Sequence, residues 1–471
     1  MTRSNFTLAL LGSASFLAYA AAFSLGDLRK NTIPFEIAFF AAFSLYWAAI
    51  AIVMRPGVWS PSRFTLPLIV LFALAFRLAL LPSRPTLSDD MYRYVWDGRV
   101  QARGITPYRY PPNAKELAEL RNGDRAVWPK INRKNFATLY PPGAQLAFAG
   151  IWQVVRDSVT GFKVAFVLAE LLGAVVLLRL LNVLGQPPER LLIYLWSPLL
   201  VFEVAHAGHM DGLMLPLLIA AFWARAAGRP WLLGITLGAA TLVKLFPAIL
   251  LPALLPFAPA RQGVKPSLQT LLGFGGVLVA GYLIYVFGGA SVLGFLPTYF
   301  GERFNLGLAG WLINLAKQLG QTKTQLPNLV TFGGLLALSA IFVLRPATSN
   351  REALGRCVWL IGWFTLFTQN LFPWYLLWLL PLITLFLEPG KMLGLRLAPI
   401  SAWLIFSGTT VLAYLFFVRW RPIPWAQAAE YWPLYALLLA SLGLWLGARL
   451  WSGWKRVTQP MGRLQESPVI E

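Results

Sequence analysis

The chain has one cysteine and two histidines in 471 residues. The single thiol, Cys357, excludes an internal disulfide framework and a multi-cysteine metal centre. Charge is scarce as well: 13% of residues are charged, against about 25% in soluble domains. Acidic residues are the scarcer kind, 19 against 40 Lys and Arg, for a net charge of +21. In a soluble protein that excess would suggest nucleic acid. Here the basic residues are scattered over short loops between apolar runs, which is a topological signal of membrane proteins, and no nucleic-acid partner is expected. No repeat with a period of about 20–50 residues, no low-complexity segment and no separate soluble domain is visible.

What is abundant is apolar: 57% of residues are hydrophobic, with 20 Trp and 32 Phe. Apolar spans fall near 6–25, 34–54, 64–82, 162–184, 190–205, 212–226, 231–244, 245–258, 268–288, 327–344, 356–370, 373–387, 397–418 and 431–451. The expectation is an all-α integral membrane bundle of about 14 transmembrane helices, a single polytopic unit over residues 1–471. The 6–25 run is longer than the apolar region of a signal peptide and reads as the first helix. Pro247, Pro252 and Pro256 make 231–258 a broken helix or a hairpin.

Loop charge sets the orientation. Arg3, Arg55, Arg63, Arg179, Arg190, Arg225, Arg229, Arg261, Lys265, Arg345, Arg351, Arg356, Lys391, Arg396, Lys455, Arg456 and Arg463 fall on one side. The other side's short loops hold Arg29, Lys30, Arg303, Lys317, Lys323, Arg419 and Arg421. Both termini are therefore expected in the cytoplasm. Residues 83–140 are polar and rich in Tyr and Pro, and face the other way. The apolar stretch 141–157 is too short to cross without inverting every later loop, so 83–157 reads as an extracytoplasmic loop containing short interfacial or re-entrant helices.

Three constellations could carry chemistry. In a helix over 88–99, Asp89, Arg93 and Asp97 recur every fourth residue on one face, with Asp90 one position round. Adjacent carboxylates repel and Arg93 would counter that; such a pair can take a proton from a hydroxyl or hold a divalent cation against phosphate. It could equally be a helix cap and a surface charge ladder. Next comes a Gly/Pro turn over 101–112, in which Tyr108 and Arg109 could line a sugar or phosphate site or form an interfacial belt. Last, His206, His209 and Asp211 cluster after the fifth span. They could ligate a metal, bond to sugar or phosphate, or simply pack against the loop.

Glu170, Glu203 and Lys244 lie within apolar runs, where each costs at least about 2.5 kcal/mol unless paired or solvated. Lys244 could meet a lipid phosphate at a helix break, or pair with Glu170 or Glu203. Arg303, beside Glu302 and Asn305, and the run Gln369 to Tyr375 with Trp374 could line a lipid-carrier groove or anchor the interface.

Together these residues resemble the GT-C glycosyltransferases, multi-spanning enzymes that use polyprenyl- or dolichyl-phosphate sugars. Gly104-Ile105-Thr106-Pro107-Tyr108 resembles the G-x-x-P-Y turn of bacterial polyprenyl-phosphomannose-dependent mannosyltransferases, and Tyr140-Pro141-Pro142 the opening of their next helix. His209-Met210-Asp211-Gly212-Leu213-Met214 and Pro373-Trp374-Tyr375-Leu376-Leu377-Trp378 are similar to segments of the glycosylphosphatidylinositol mannosyltransferase relatives. The similarity covers roughly 83–260 and 369–390. Two departures stand: the acidic loop follows a third span, and no large C-terminal extracytoplasmic domain is present, which argues against oligosaccharyl transfer to protein.

The resemblance implies an inverting transfer of a hexose, most simply mannose, from a polyprenyl-phosphate carrier to a lipid or glycan acceptor on the extracytoplasmic face of the plasma or inner membrane. Asp89 or Asp90 would be the base, with Asp89 favoured because it shares a face with Arg93 and Asp97. Arg93, Arg109, His206, His209 and Lys244 would meet the phosphate; Tyr92, Tyr94 and Tyr108 would shape the sugar pocket. A divalent cation, Mg or Mn, is the one cofactor the resemblance allows, held by Asp89, Asp90, His209 and Asp211. A lipid-linked-sugar transporter or flippase is the alternative; it would carry inverted repeats.

Overall fold

The structure, a computed structural model, describes residues 3–55, 59–256, 264–288, 291–299, 301–321, 324–388, 399–417 and 423–458. Of the basic residues that orient the chain, Arg261, Lys323, Lys391, Arg396, Arg419, Arg421 and Arg463 lie outside them. The chain is 74% helix with no strand among the described residues, apart from one isolated parallel bridge, Phe304 to Asn370.

Among the described residues seven helices are long and apolar enough to cross a membrane: Arg3–Ser24, Thr32–Val53, Val159–Val183, Lys265–Val286, Leu326–Leu344, Pro399–Phe416 and Pro424–Ala448. Thr65–Leu80 and Pro230–Val243 are apolar but shorter. Outward side chains on these helices are apolar too, with Leu17 68% and Leu336 71% exposed. That surface suits hydrocarbon rather than water, because the helical backbone satisfies its own hydrogen bonds.

Several other apolar runs are shorter or broken near a proline. The 190–205 run becomes Leu191–Leu195, Pro198–Val201 and a π turn, Phe202–His206. Beyond Val243 the chain is extended at Lys244 (φ −148°, ψ 130°) and continues as the 3₁₀ turn Phe246–Leu250 and the short helix Leu251–Leu254. The 373–387 run divides into a 3₁₀ helix, Pro373–Trp378, and Leu380–Phe386.

The buried charges within apolar runs choose partners other than those expected. Arg77 donates to both oxygens of Glu170 at 2.7 and 2.9 Å, and to the Leu195 carbonyl at 3.0 Å. Lys244 pairs with Asp211 rather than with Glu170 or Glu203. The reason is topological: Asp211–Ala226 and Pro230–Val243 form an antiparallel hairpin whose open end brings Asp211 and Lys244 together.

The acidic segment forms the helix Asp90–Gln101. Ser88 Oγ accepts the Asp90 N–H at 3.2 Å, and Asp90 itself sits in the first turn, where the helix dipole favours a carboxylate. Gly104, at φ 72°, ends the helix as Ile105 N–H reaches back to the Val100 carbonyl at 3.4 Å. The helix packs on Pro142–Val155. That contact needs Gly98, because a Cβ there would stand 2.6 Å from the Phe148 carbonyl oxygen.

Candidate active site

A cavity of about 1010 Å³ opens beside the start of the Asp90–Gln101 helix. Nine of the residues expected at the site line it: Asp89, Asp90, Arg93, Tyr94, Tyr140, Lys244, Arg303, Trp374 and Tyr375. They come from segments far apart in sequence, joined by the 83–140 loop, the helix break at Lys244, the loop before Gly307 and the Pro373–Trp378 turn.

The two adjacent aspartates are held differently. Asp89 receives both terminal nitrogens of Arg29, at 3.4 and 3.0 Å. Asp90 accepts one hydrogen bond, from Asn132 Nδ2 at 2.6 Å, and among the described residues no cation stands within ion-pair distance of it. The expected ladder from Asp89 through Arg93 to Asp97 is therefore interrupted. Arg93 turns down the helix to Asp97 at 2.8 Å, and Arg29 takes the neutralising role assigned to Arg93.

Lys244 lies across the same cavity lining. Its Nζ donates to both Asp211 oxygens, at 3.0 and 2.9 Å, and stands 4.9 and 5.0 Å from the ring centres of Tyr375 and Trp378. Trp378 completes the cradle: its Nε1–H donates to Asp211 at 2.6 Å, and its ring stacks between Phe246 and Tyr375 at 3.7 and 4.5 Å. The ammonium is thus flanked by two aromatic faces and one carboxylate. Leu245, Ile249, Phe332 and Leu335 make the adjoining lining apolar.

The loop before Gly307 supplies the remaining polar wall. Gln369 accepts from Arg303 Nε at 3.2 Å, and its backbone carbonyl accepts the Phe304 N–H at 2.8 Å, so Gln369 orients Arg303 from outside the cavity lining. Arg133 pairs with Glu302, and Tyr299 shares a hydroxyl bond with Tyr375 at 2.9 Å.

The other expected residues stand behind this wall or apart from it. Tyr92 is buried beneath the Lys130 ammonium, 5.0 Å from its ring centre. Asp97 is shared between Arg93 and Gln145. Tyr108 donates to the Tyr140 carbonyl at 2.6 Å, so it supports a lining residue without joining it. Arg109 is exposed and rests on the neighbouring Tyr110 ring.

His206 sits on the π turn, with Nδ1 2.7 Å from Ser83 Oγ and Nε2 3.2 Å from Thr86 Oγ1. Thr86 in turn accepts Arg29 Nε on its carbonyl at 2.9 Å. His206 thus grips the segment that fixes Arg29 against Asp89. Gly208, at φ 73°, reverses the chain beyond it. His209 Nδ1 lies 2.8 Å from Glu203 Oε2, and its ring stacks on Trp374 at 3.8 Å.

The cation set considered from sequence is not assembled. Arg29 engages Asp89, Lys244 and Trp378 engage Asp211, and His209 is stacked on Trp374. Among the described residues no three His, Cys, Asp or Glu side chains gather to hold a metal ion, and no step is routed through one.

Sequence reasoning missed Arg29, Asn132, Tyr299 and the aromatic wall of Phe246, Phe364 and Phe372. A signal for Arg29 was present: it is one of few basic residues in the short loops on the acidic side of the orientation scheme.

A large cavity with paired carboxylates, a caged lysine and an aromatic wall, set among long apolar helices, is the candidate functional site. Residues 11–260 match the family described as alpha-(1->6)-mannopyranosyltransferase, N-terminal domain. The match takes in more than half of the 471 residues, and the chain belongs to this family of mannosyltransferases of the GT-C type. No curated protein matches the chain. The family does not favour the transporter reading.

Proposed function

We propose that the chain transfers mannose from a polyprenyl-phosphate carrier to a hydroxyl of a lipid or glycan acceptor, with inversion at C1 and Asp90 as general base. The observation that carries this reading is the unequal holding of two adjacent carboxylates on one cavity. Asp89 is neutralised by Arg29, whereas Asp90 keeps an oxygen for an incoming proton. A base must combine a lone pair, access to the cavity and a fixed direction; Asn132 supplies the last.

In the proposed reaction the acceptor oxygen attacks C1 as its proton passes to Asp90. The bond from C1 to the carrier's phosphate oxygen breaks, and that oxygen leaves with the electron pair. Lys244 and Arg303 face the charge that develops, an electrostatic task of the oxyanion-hole kind. A β-linked donor gives an α-mannoside. The stretch of Leu245, Ile249, Phe332 and Leu335 accommodates the isoprenoid chain, since burying apolar surface contributes about 25 cal/mol per Å². Tyr94 and Tyr140 line the cavity where the sugar would sit. His206, His209 and Asp211 act through Arg29, Trp374 and Lys244 rather than by touching substrate.

The membrane arrangement belongs to the same proposal: about 14 crossings counting the broken ones, both termini cytoplasmic, and residues 83–157 forming the extracytoplasmic catalytic loop. The loop charges support it. Purified protein in vesicles, offered labelled polyprenyl-phosphomannose or labelled nucleotide-mannose, tests the donor. Label should move only from the polyprenyl carrier; transfer from the nucleotide sugar alone would overturn the reading.

A further inference from the structure

The Asp211–Ala226 and Pro230–Val243 helices run from the catalytic cavity to a second cavity of about 230 Å³ at their other end. With a rise of about 1.5 Å per residue, the 14 residues from Asp211 to Arg225 put the two cavities about 21 Å apart. Arg225, Arg229 and Gln269 line this second cavity, and Pro230 opens a helix of 14 residues at its wall.

Three observations bear on what it takes. Arg225 donates one nitrogen to Asn350 Oδ1 at 2.6 Å, while its Nε is buried with no partner. Arg229 rests on the Trp223 ring, 5.6 Å from its centre. Among the described residues no carboxylate lines the cavity or pairs with either guanidinium. Two guanidinium groups lining a pocket without carboxylates suit a phosphate oxygen. The free N–H groups at the start of the second helix add favourable potential for the same charge.

We infer that this cavity is a phosphate site, separate from the transfer reaction, and that it takes the headgroup phosphate of an anionic phospholipid. It lies between helices at the end of the molecule where the basic loops gather, and basic pockets so placed take anionic headgroups. The inference does not depend on the donor or on the base.

The test uses the whole purified chain in neutral detergent, with native mass spectrometry and melting temperature as readouts. Phosphatidylglycerol should be retained and should raise the melting temperature, while phosphatidylcholine should do neither. Arg225→Gln/Arg229→Gln should weaken retention by about tenfold or more. Arg229→Gln alone, at an exposed residue with no ion pair, guards against a folding defect and should show a smaller loss. Millimolar inorganic phosphate is the third arm: if it matches phosphatidylglycerol, the occupant is free phosphate and the phosphate site stands. Equal retention of both lipids, or retention unchanged in the variants, would overturn the inference.

Discussion

Replacing Lys244 separates a catalytic charge from a structural one. Lys244 is 16% exposed at its side chain and its partner Asp211 only 1%. Removing the ammonium therefore does two things. It deprives the departing phosphate of a charge-assisted contact, worth about 1.5–3 kcal/mol, or about one to two orders of magnitude in kcat/KM. It also leaves a buried carboxylate without its cation, which destabilises by about 3–5 kcal/mol. Lys244→Met alone should therefore lose both activity and melting temperature. Lys244→Met/Asp211→Asn removes the orphaned charge while leaving an amide oxygen to accept the Trp378 N–H, so melting temperature should return most of the way. Activity should not, because the phosphate still lacks its cation. Lys244→Arg should retain part of it. The assay is mannosyl transfer at saturating and limiting donor, paired with thermal unfolding in detergent. If the double variant regains full kcat/KM, Lys244 serves only Asp211, and the assignment of the ammonium to the phosphate is refuted.

Two further outcomes follow from the structure. Arg77 and Glu170 are 2% and 0% exposed, so Arg77→Ala should cost about 3–5 kcal/mol in unfolding, whereas Arg77→Met/Glu170→Leu should come near wild-type stability; equal melting of wild type and Arg77→Ala would contradict a paired charge. Burial opposes ionisation of Asp124, but the N–H groups of Val127, Trp128 and Ala126 and the Arg99 guanidinium outweigh it and hold its pKa at about 2, below the usual carboxylate value of 3.8. A depressed native pKa contributes stability above the unfolded value that is lost as pH falls through the folded one. Protection of residues 115–131 from protease should therefore be full above about pH 4 and gone by about pH 2, and Asp124→Asn should flatten that profile.

Much of the helical layout was legible because long apolar runs have few alternatives: 6–25, 34–54, 162–184, 268–288 and 327–344 all correspond to single helices. The turn after Gln101 and the helix opening at Pro142 were legible from glycine and proline. Partner choice was not. Nothing in local sequence indicates that Arg93 bonds down its own helix while Arg29, 60 residues before Asp89, reaches the carboxylate instead. The pairing depends on the first interhelical loop folding over the start of the Asp90–Gln101 helix. In the same way, Lys244 was recognisable as a buried charge at a break, but Asp211 could be matched to it only once the hairpin between them was known. His206 carried a strong residue signal, yet its work is to hold Ser83 and Thr86, two residues with no signal of their own.

The account rests on Asp90 being the proton acceptor and Asp89 a neutralised neighbour. The direct measurement is transfer of radiolabelled mannose from polyprenyl-phosphomannose in membranes bearing wild type, Asp90→Asn, Asp89→Asn or empty vector, at matched expression. Loss of general-base catalysis lowers rates by about 10²–10⁴-fold, so Asp90→Asn should fall to the empty-vector level. Asp89→Asn should retain measurable transfer, because it alters the Arg29 clamp without removing the base. Full activity in Asp90→Asn together with a dead Asp89→Asn would contradict the account and return the catalytic role to Asp89.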